Sequence, residues 1–164
     1  MAELIFDRTQ ADVDENLRLT AGMKAGTLTE PEKELYFSEL KGRYSYTDLN
    51  RVESAVAEIA AKLTANGFPT DVSVKTDWEP EDKMRRADVI RYLNNIDAIR
   101  RRLPESAAPA AVPISRWLDY TAANDIERTI WMAESVIGSI ALHLRRCGTF
   151  TAGGNYASQT IRRA

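Results

Sequence analysis

Residues 46–63, with the sequence YTDLNRVESAVAEIAAKL, decide the fold of this chain. Apolar residues recur within them at steps of three and four, namely Leu49, Val52, Val56, Ile59, Ala60 and Leu63. This spacing places them on one face of an α-helix of about five turns. Thr47 is the expected N-cap, and residues 66–69 (NGFP) form a stop signal, because glycine adopts the left-handed conformation and proline ends the helix. The stretch therefore predicts a long helix with one buried face.

Four further helices are predicted from start signals and apolar spacing. They lie at residues 9–24, at 29–42, from a start between 83 and 88 to 103, and at 121–147. Thr9 is the expected N-cap of the first, and Thr29 with Glu32 has the spacing of a capping box. The predicted fold class is mainly α, with about five helices in a small bundle and extended amino- and carboxyl-terminal segments.

One short β-strand is predicted at residues 70–76 (TDVSVKT), where β-branched and polar side chains alternate. A lone strand needs a partner, and the best candidate within the chain is residues 148–152 (GTFTA). The alternative is that its free edge is extended by another chain.

A Pro- and Ala-rich linker at residues 104–113 is the one obvious internal boundary. Residues 1–103 are predicted to form a helical unit that includes the short strand. Residues 114–147 are predicted to carry a long helix that packs back on this unit, and residues 148–164 an extended tail.

The start of the helix at 46–53 (YTDLNRVE) is echoed at 120–127 (YTAANDIE). The residues that coincide are Tyr46, Thr47, Asn50 and Glu53 in the first copy and Tyr120, Thr121, Asn124 and Glu127 in the second. One interpretation is two good helix starts, in which a tyrosine precedes a threonine cap and short polar or acidic groups lie near the positive helix end. The other is a duplicated helical unit with a shared packing surface.

Residues suited to catalysis or metal binding are sparse. The only histidine is His143 and the only cysteine is Cys147, which excludes a histidine-rich metal site. The acidic residues at 77–82 lack the glycine-centred loop of a calcium hand, and no glycine-rich phosphate loop follows a strand. We therefore predict no metal, no cofactor and no enzymatic activity.

Two partner classes are also disfavoured by the sequence. No run of 18 or more apolar residues exists, which predicts no membrane span. The arginines at 100–102, 145–146 and 162–163 are scattered and lack an aromatic-interleaved recognition module, so no nucleic-acid partner is predicted.

The three tryptophans are predicted to have different roles. Trp117 and Trp131, on and around the longest helix, are expected in the core. Trp78 lies in an acidic turn and is the best aromatic candidate for a contact with a partner.

Five motifs recur in the same order in a known group of proteins: residues 4–13 (LIFDRTQADV), 44–53 (YSYTDLNRVE), 75–78 (KTDW), 91–95 (RYLNN) and 123–127 (ANDIE). In them the chain resembles a family of small, uncharacterised proteins encoded in phages and prophages of gut Firmicutes. The likeness covers nearly the whole chain, although residues 147–154 (CGTFTAGG) replace a more acidic version. Members of the family are encoded among tail and baseplate genes, so the resemblance implies a virion component.

The function implied by this resemblance is a non-enzymatic structural or adaptor subunit of a phage tail tip or baseplate, assembled in the cytoplasm of the bacterial host. Its expected partners are other tail or baseplate proteins and copies of itself. Docking is expected through Phe6, Asp7 and Arg8 at one end and through Phe150 and Tyr156 at the other. The alternatives are a receptor- or glycan-binding module of the tail end that uses Trp78, and a cytosolic regulator.

Overall fold

A computed structural model describes residues 3–103, 111–113 and 118–147, with only the backbone described for 140–147. Its helices are α1 (Gln10–Ala25), α2 (Glu30–Phe37), α3 (Tyr46–Ala65), α4 (Arg86–Arg100) and α5 (Tyr120–Cys147). The predicted mainly α fold with five helices is confirmed. The predicted linker is described only at 111–113, and the predicted tail lies outside the described residues.

The core is built by α3, α4 and α5, each of which packs against the other two. All six apolar residues that define the face of α3 are buried, as the sequence predicts. All of them except Ala60 belong to one core cluster with Tyr92, Leu93, Ile96 and Ile99 of α4 and Ile126, Ile130, Ala133 and Ile137 of α5. Burial of these side chains at roughly 1.5–3 kcal/mol each is the main stabilising contribution to the bundle.

The ends of α3 differ slightly from the prediction. Its N-cap is Ser45 rather than Thr47, because the Asp48 carboxylate accepts a hydrogen bond from the Ser45 backbone N–H at 2.8 Å. The stop is as predicted: Gly67 has a φ of 86°, and the Phe68 N–H donates to the Leu63 carbonyl at 2.9 Å.

α1 and α2 form a helical hairpin apart from the core, named here the hairpin lobe (residues 10–37). α1 begins after the Thr9 cap, and α2 ends at Phe37 rather than near Gly42 because the Ser38 hydroxyl bonds the Leu35 carbonyl. Leu19 is the only buried residue of either helix. Among the described residues, the apolar side chains in and against the main core all come from outside this lobe.

The predicted strand at residues 70–76 is wrong, since no strand is assigned in the described part of the chain. The segment has no regular secondary structure, and several of its backbone groups bond to side chains of α3 and α4 instead of a neighbouring strand. Alternating β-branched residues favour extended backbone, but they do not distinguish a sheet partner from a row of polar side chains. The proposed partner at 148–152 lies outside the described residues.

Candidate functional site

The two copies of the echoed sequence place an asparagine and a glutamate at equivalent points of α3 and α5. α3 is capped by Ser45, and α5 by Asp119, whose carboxylate accepts the Ala122 N–H at 2.8 Å. Asn50 and Asn124 therefore both stand five positions after the cap, with Glu53 and Glu127 three positions further on. Residues three apart share a helix face, so each pair can act on one segment of chain.

The pair on α3, named the α3 clamp (Asn50 and Glu53), holds the loop that precedes α4. The Asn50 amide makes two hydrogen bonds to one residue: its Oδ1 accepts the Trp78 N–H at 2.7 Å, and its Nδ2 donates to the Trp78 carbonyl at 2.9 Å. Glu53 accepts the Lys75 N–H at 2.7 Å. The clamp therefore grips main-chain atoms at two residues that are three apart.

The pair on α5, named the α5 clamp (Asn124 and Glu127), holds the extended amino-terminal segment, named the arm (residues 3–9). Asn124 Oδ1 accepts the Arg8 N–H at 3.1 Å, and its Nδ2 donates to the Arg8 carbonyl at 2.8 Å. Glu127 accepts the Ile5 N–H at 2.6 Å. The contacts repeat those of the α3 clamp atom for atom, again at two residues three apart.

The side chain of the asparagine-bound residue also reaches the glutamate in each clamp. The Trp78 indole Nε1 donates to Glu53 at 3.0 Å, and Arg8 Nη2 donates to Glu127 at 2.8 Å. Both carboxylates are fully buried, so these donors offset the cost of removing a charge from water.

An arginine from another helix completes each clamp. Arg91 of α4 contacts both carboxylate oxygens of Glu53, at 2.5 and 2.8 Å, and Arg51 of α3 donates to Glu127 at 2.9 Å. For Arg51, burial acts to lower the pKa, but bonds and attraction to Glu127 and Asp48 are stronger and raise it. These arginines link each clamp to a neighbouring helix of the core.

The arm is further fixed by a buried ion cluster that joins it to α3 and α5. Arg8 contacts Asp48 at 2.9 Å as well as Glu127, and Arg51 contacts Asp48 at 2.6 Å. Two arginines and two carboxylates share the cluster, which balances its charge. Arg8 is 4% exposed and its guanidinium bonds Asp48 and Glu127 within the chain, and its predicted contact with a partner stays a prediction.

The other two predicted arm residues remain near the surface. The Phe6 ring packs on Trp131 with centroids 5.8 Å apart, and Asp7, which is exposed, pairs with Lys41 at 2.6 Å. Trp131 is 47% exposed, so its prediction as a core residue is wrong: it lies on the outer side of α5 beneath the arm.

The prediction that Trp78 contacts a partner loses its basis in the structure. Trp78 is 5% exposed, belongs to the main core and is held by Asn50 and Glu53. The acidic turn that suggested exposure follows it in sequence, and the Lys75 ammonium covers its ring at 4.1 Å.

A third asparagine extends the grip on the loop before α4. Asn95 of α4 accepts the Ser73 N–H at 3.0 Å and donates to the Ser73 carbonyl at 2.6 Å. Residues 91–95 are among the recurring motifs, but the role of Asn95 was not predicted, because Asn95 stands outside the echoed helix start.

The tyrosines and threonines of the echo have smaller roles. Tyr46 and Tyr120 are the first residues of their helices rather than residues ahead of a cap. The Thr47 and Thr121 hydroxyls bond the true cap residues, Ser45 and Asp119. The prediction that Thr47 and Thr121 cap these two helices is therefore wrong by two positions, and the asparagine–glutamate pair in the next turn carries the shared geometry.

Several predicted features lie outside what the structure describes. Trp117, which is predicted in the core, and Phe150 and Tyr156 all fall outside the described residues, and the side chains of His143 and Cys147 are not described. Within the described residues, no three acidic, histidine or cysteine side chains form a group that could hold a metal ion. In that same part of the chain, no helix combines the length and apolar character needed to cross a membrane.

Each clamp holds the backbone of a segment that has no regular secondary structure, and an arginine pairs with its buried carboxylate. A comparison with known proteins found no matching family model, no matching curated protein and no matching solved structure.

Proposed function

We propose that this protein is a non-enzymatic structural or adaptor subunit of a phage virion, in the tail tip or baseplate, that docks to neighbours through its ends. The proposal is supported first by the five motifs that resemble phage and prophage proteins. It is supported second by the architecture that those motifs build.

Each of the five motifs contributes to the clamps or to what they hold. Residues 4–13 include the arm from its second residue on, 44–53 the α3 clamp, 75–78 its bound segment, and 123–127 the α5 clamp. Residues 91–95 supply Arg91 and Asn95. The resemblance thus covers the two clamps and the segments that they hold. This favours a shared fold and a shared way of holding these segments.

The observation that carries the proposal is the docking of the arm on α5. An arm bound by main-chain hydrogen bonds and one buried arginine is a device for joining elements that are distant in sequence. Protein assemblies use the same chemistry to join subunits through extended terminal segments. The residues of the site hold segments of the polypeptide chain in place, and this role suits an adaptor.

Mass spectrometry of purified virions tests the location of the protein. We expect peptides of this chain in the particle, at a fixed stoichiometry to tail proteins, and particles without tips or tails when its gene is deleted. Absence from purified particles would refute the virion assignment and would favour the cytosolic regulator.

The receptor- or glycan-binding alternative depended on an exposed Trp78. Its burial leaves that alternative without the aromatic platform that sugar stacking uses. A glycan array with the purified protein separates the two virion roles: the adaptor assignment predicts no sugar binding.

A further inference from the structure

The arm and the hairpin lobe form one unit that is attached to the core at few points. α1 and α2 pack on each other, and neither has an extensive contact with α3, α4 or α5. Arg43 belongs to this unit, since its guanidinium lies over the Tyr36 ring at 4.6 Å and bonds Asn16 at 3.3 Å.

The next residue belongs to the core. The Tyr44 hydroxyl bonds that of Tyr92 in α4 at 2.6 Å, and Ser45 caps α3. The unit is therefore joined to the core covalently at the Arg43–Tyr44 junction. Its principal non-covalent attachment is the arm in the α5 clamp.

The arm makes contacts that a second copy could supply without change. Its partners Asn124, Glu127, Asp48 and Trp131 lie on α3 and α5, beyond the junction. The Asp7–Lys41 ion pair stays on the near side of the junction and moves with the unit. If the junction opens, every arm contact can re-form on another copy at little cost in contact energy.

The hairpin lobe also leaves apolar surface uncovered in the single chain. Leu17, Leu35 and Phe37 are 58%, 41% and 73% exposed. The lobe therefore does not bury these side chains against the core, which agrees with its few points of attachment.

We infer that the α5 clamp is an interaction site for a second copy of this chain, in which the arm of one copy docks on α5 of another and carries its hairpin lobe with it. The inference names the partner of the proposed docking role, and it rests on that proposed function. Reciprocal exchange gives a closed dimer, and one-way exchange gives an open series of subunits.

The test mixes two full-length variants that are each defective in a different half of the contact. The arm-deficient copy carries Ile5→Pro and Arg8→Ala, which remove the N–H that Glu127 accepts and the buried guanidinium. The clamp-deficient copy carries Asn124→Ala and Glu127→Gln. Only the mixture contains both an intact arm and an intact clamp.

Analytical ultracentrifugation is expected to show each variant alone as a monomer and the equimolar mixture as a 1:1 complex. Circular dichroism of each variant confirms that it is folded. Two folded variants that remain monomeric when mixed would overturn the inference.

A peptide of residues 3–9 provides a second measurement that does not need the clamp-deficient copy to fold. It is expected to bind the arm-deficient copy, and the same peptide with Ile5→Pro is expected to bind about ten-fold more weakly because one hydrogen bond is lost. Equal binding of the two peptides, or none of either, would overturn the inference. Both readouts are made in solution, so they are independent of whether the protein is found in virions.

Discussion

At the scale of single residues, Asn50 and Asn124 show how an amide can replace a strand partner. Each uses its carbonyl and its NH₂ group on the N–H and C=O of one residue. Buried main-chain groups need partners, and in these segments the partners are side chains.

The two asparagines are predicted to differ in their effect on stability. Asn50→Ala should lower the free energy of unfolding by about 2–3 kcal/mol, because the N–H and C=O of the anchored Trp78 lose their partners. Asn124→Ala should cost only about 1 kcal/mol, since the arm can leave the clamp and be solvated. Urea unfolding measures both, and the exposed Asn94→Ala is the matched control, expected within about 0.5 kcal/mol of wild type. Equal losses at Asn50 and Asn124 would contradict an arm that can undock.

The Tyr44–Tyr92 pair predicts a loss of stability in alkali. Burial raises the pKa of Tyr92 and of Tyr44 above the ordinary value of 10.0. Both phenols are therefore neutral in the folded and unfolded states well below pH 10. As the pH rises above 10, the unfolded phenols ionise while the folded ones stay protonated, so stability falls until the folded pKa is reached.

Unfolding by guanidinium between pH 8 and 11.5 measures this slope, which should approach about 1.4 kcal/mol per pH unit for each phenol. Tyr92→Phe should reduce the slope, and the exposed Tyr46→Phe should keep it. A wild-type stability that is flat across this range would show that the pair is not buried in solution.

At the scale of elements, the close packing of α1 on the loop before α3 depends on Gly42. A methyl group at this position would overlap the backbone carbonyl of Asp12 in the first turn of α1. Backbone atoms yield little, so the hairpin lobe would have to move.

Gly42→Ala should therefore destabilise the protein by about 1–3 kcal/mol, an ordinary cost of overpacking. Gly138→Ala is the matched control, because Gly138 is exposed in α5 with no atom near the added methyl group. It should stabilise the protein by about 0.5–1 kcal/mol through helix propensity. Thermal unfolding of both variants checks the two signs, and a neutral Gly42→Ala would mean that α1 is not seated against this loop.

The extent to which sequence predicts these elements follows from the range of the forces involved. The Thr9 cap, the buried face of α3 and the stop at Gly67 are local, so residue type and spacing were sufficient. The clamps join residues 22 to 122 positions apart, and no local pattern encodes such a distance. The echo identified Asn50 and Glu53, but only the fold shows that they hold chain rather than cap a helix.

The predictions for Trp78 and for the segment at 70–76 are wrong for the same reason. A tryptophan among acidic residues suggests a surface, yet Glu53, 25 positions away, supplies the acceptor that allows it to be buried. The β-branched residues at 72 and 74 predict a strand, but backbone groups of this segment bond to asparagine and glutamate side chains instead.

At the scale of the whole molecule, the three-helix core and the hairpin lobe should differ in local stability. The lobe buries one apolar side chain, whereas α3 to α5 share the main core. Regions with few buried contacts can open locally at a lower free energy than global unfolding requires.

Hydrogen exchange is predicted to be faster in residues 10–37 than in α3 and α4. Arg8→Ala should accelerate exchange in the lobe further, because it weakens the arm that ties the lobe to the core, while exchange in α4 stays unchanged. Mass spectrometry of peptic fragments resolves these regions. Uniform protection across lobe and core would show that they open as one unit.

The clamps have a consequence for protein engineering. An asparagine and a glutamate three residues apart on a helix recognise the backbone of a passing segment, and they hold two segments here, Ile5–Arg8 and Lys75–Trp78, whose only shared residue is an aspartate. A designer can therefore graft this pair onto a stable helix, with an arginine from a neighbouring helix to neutralise the glutamate. Such a helix would tether chosen peptides by their first and fourth residues. The side chains of the two residues between them remain free to carry other properties.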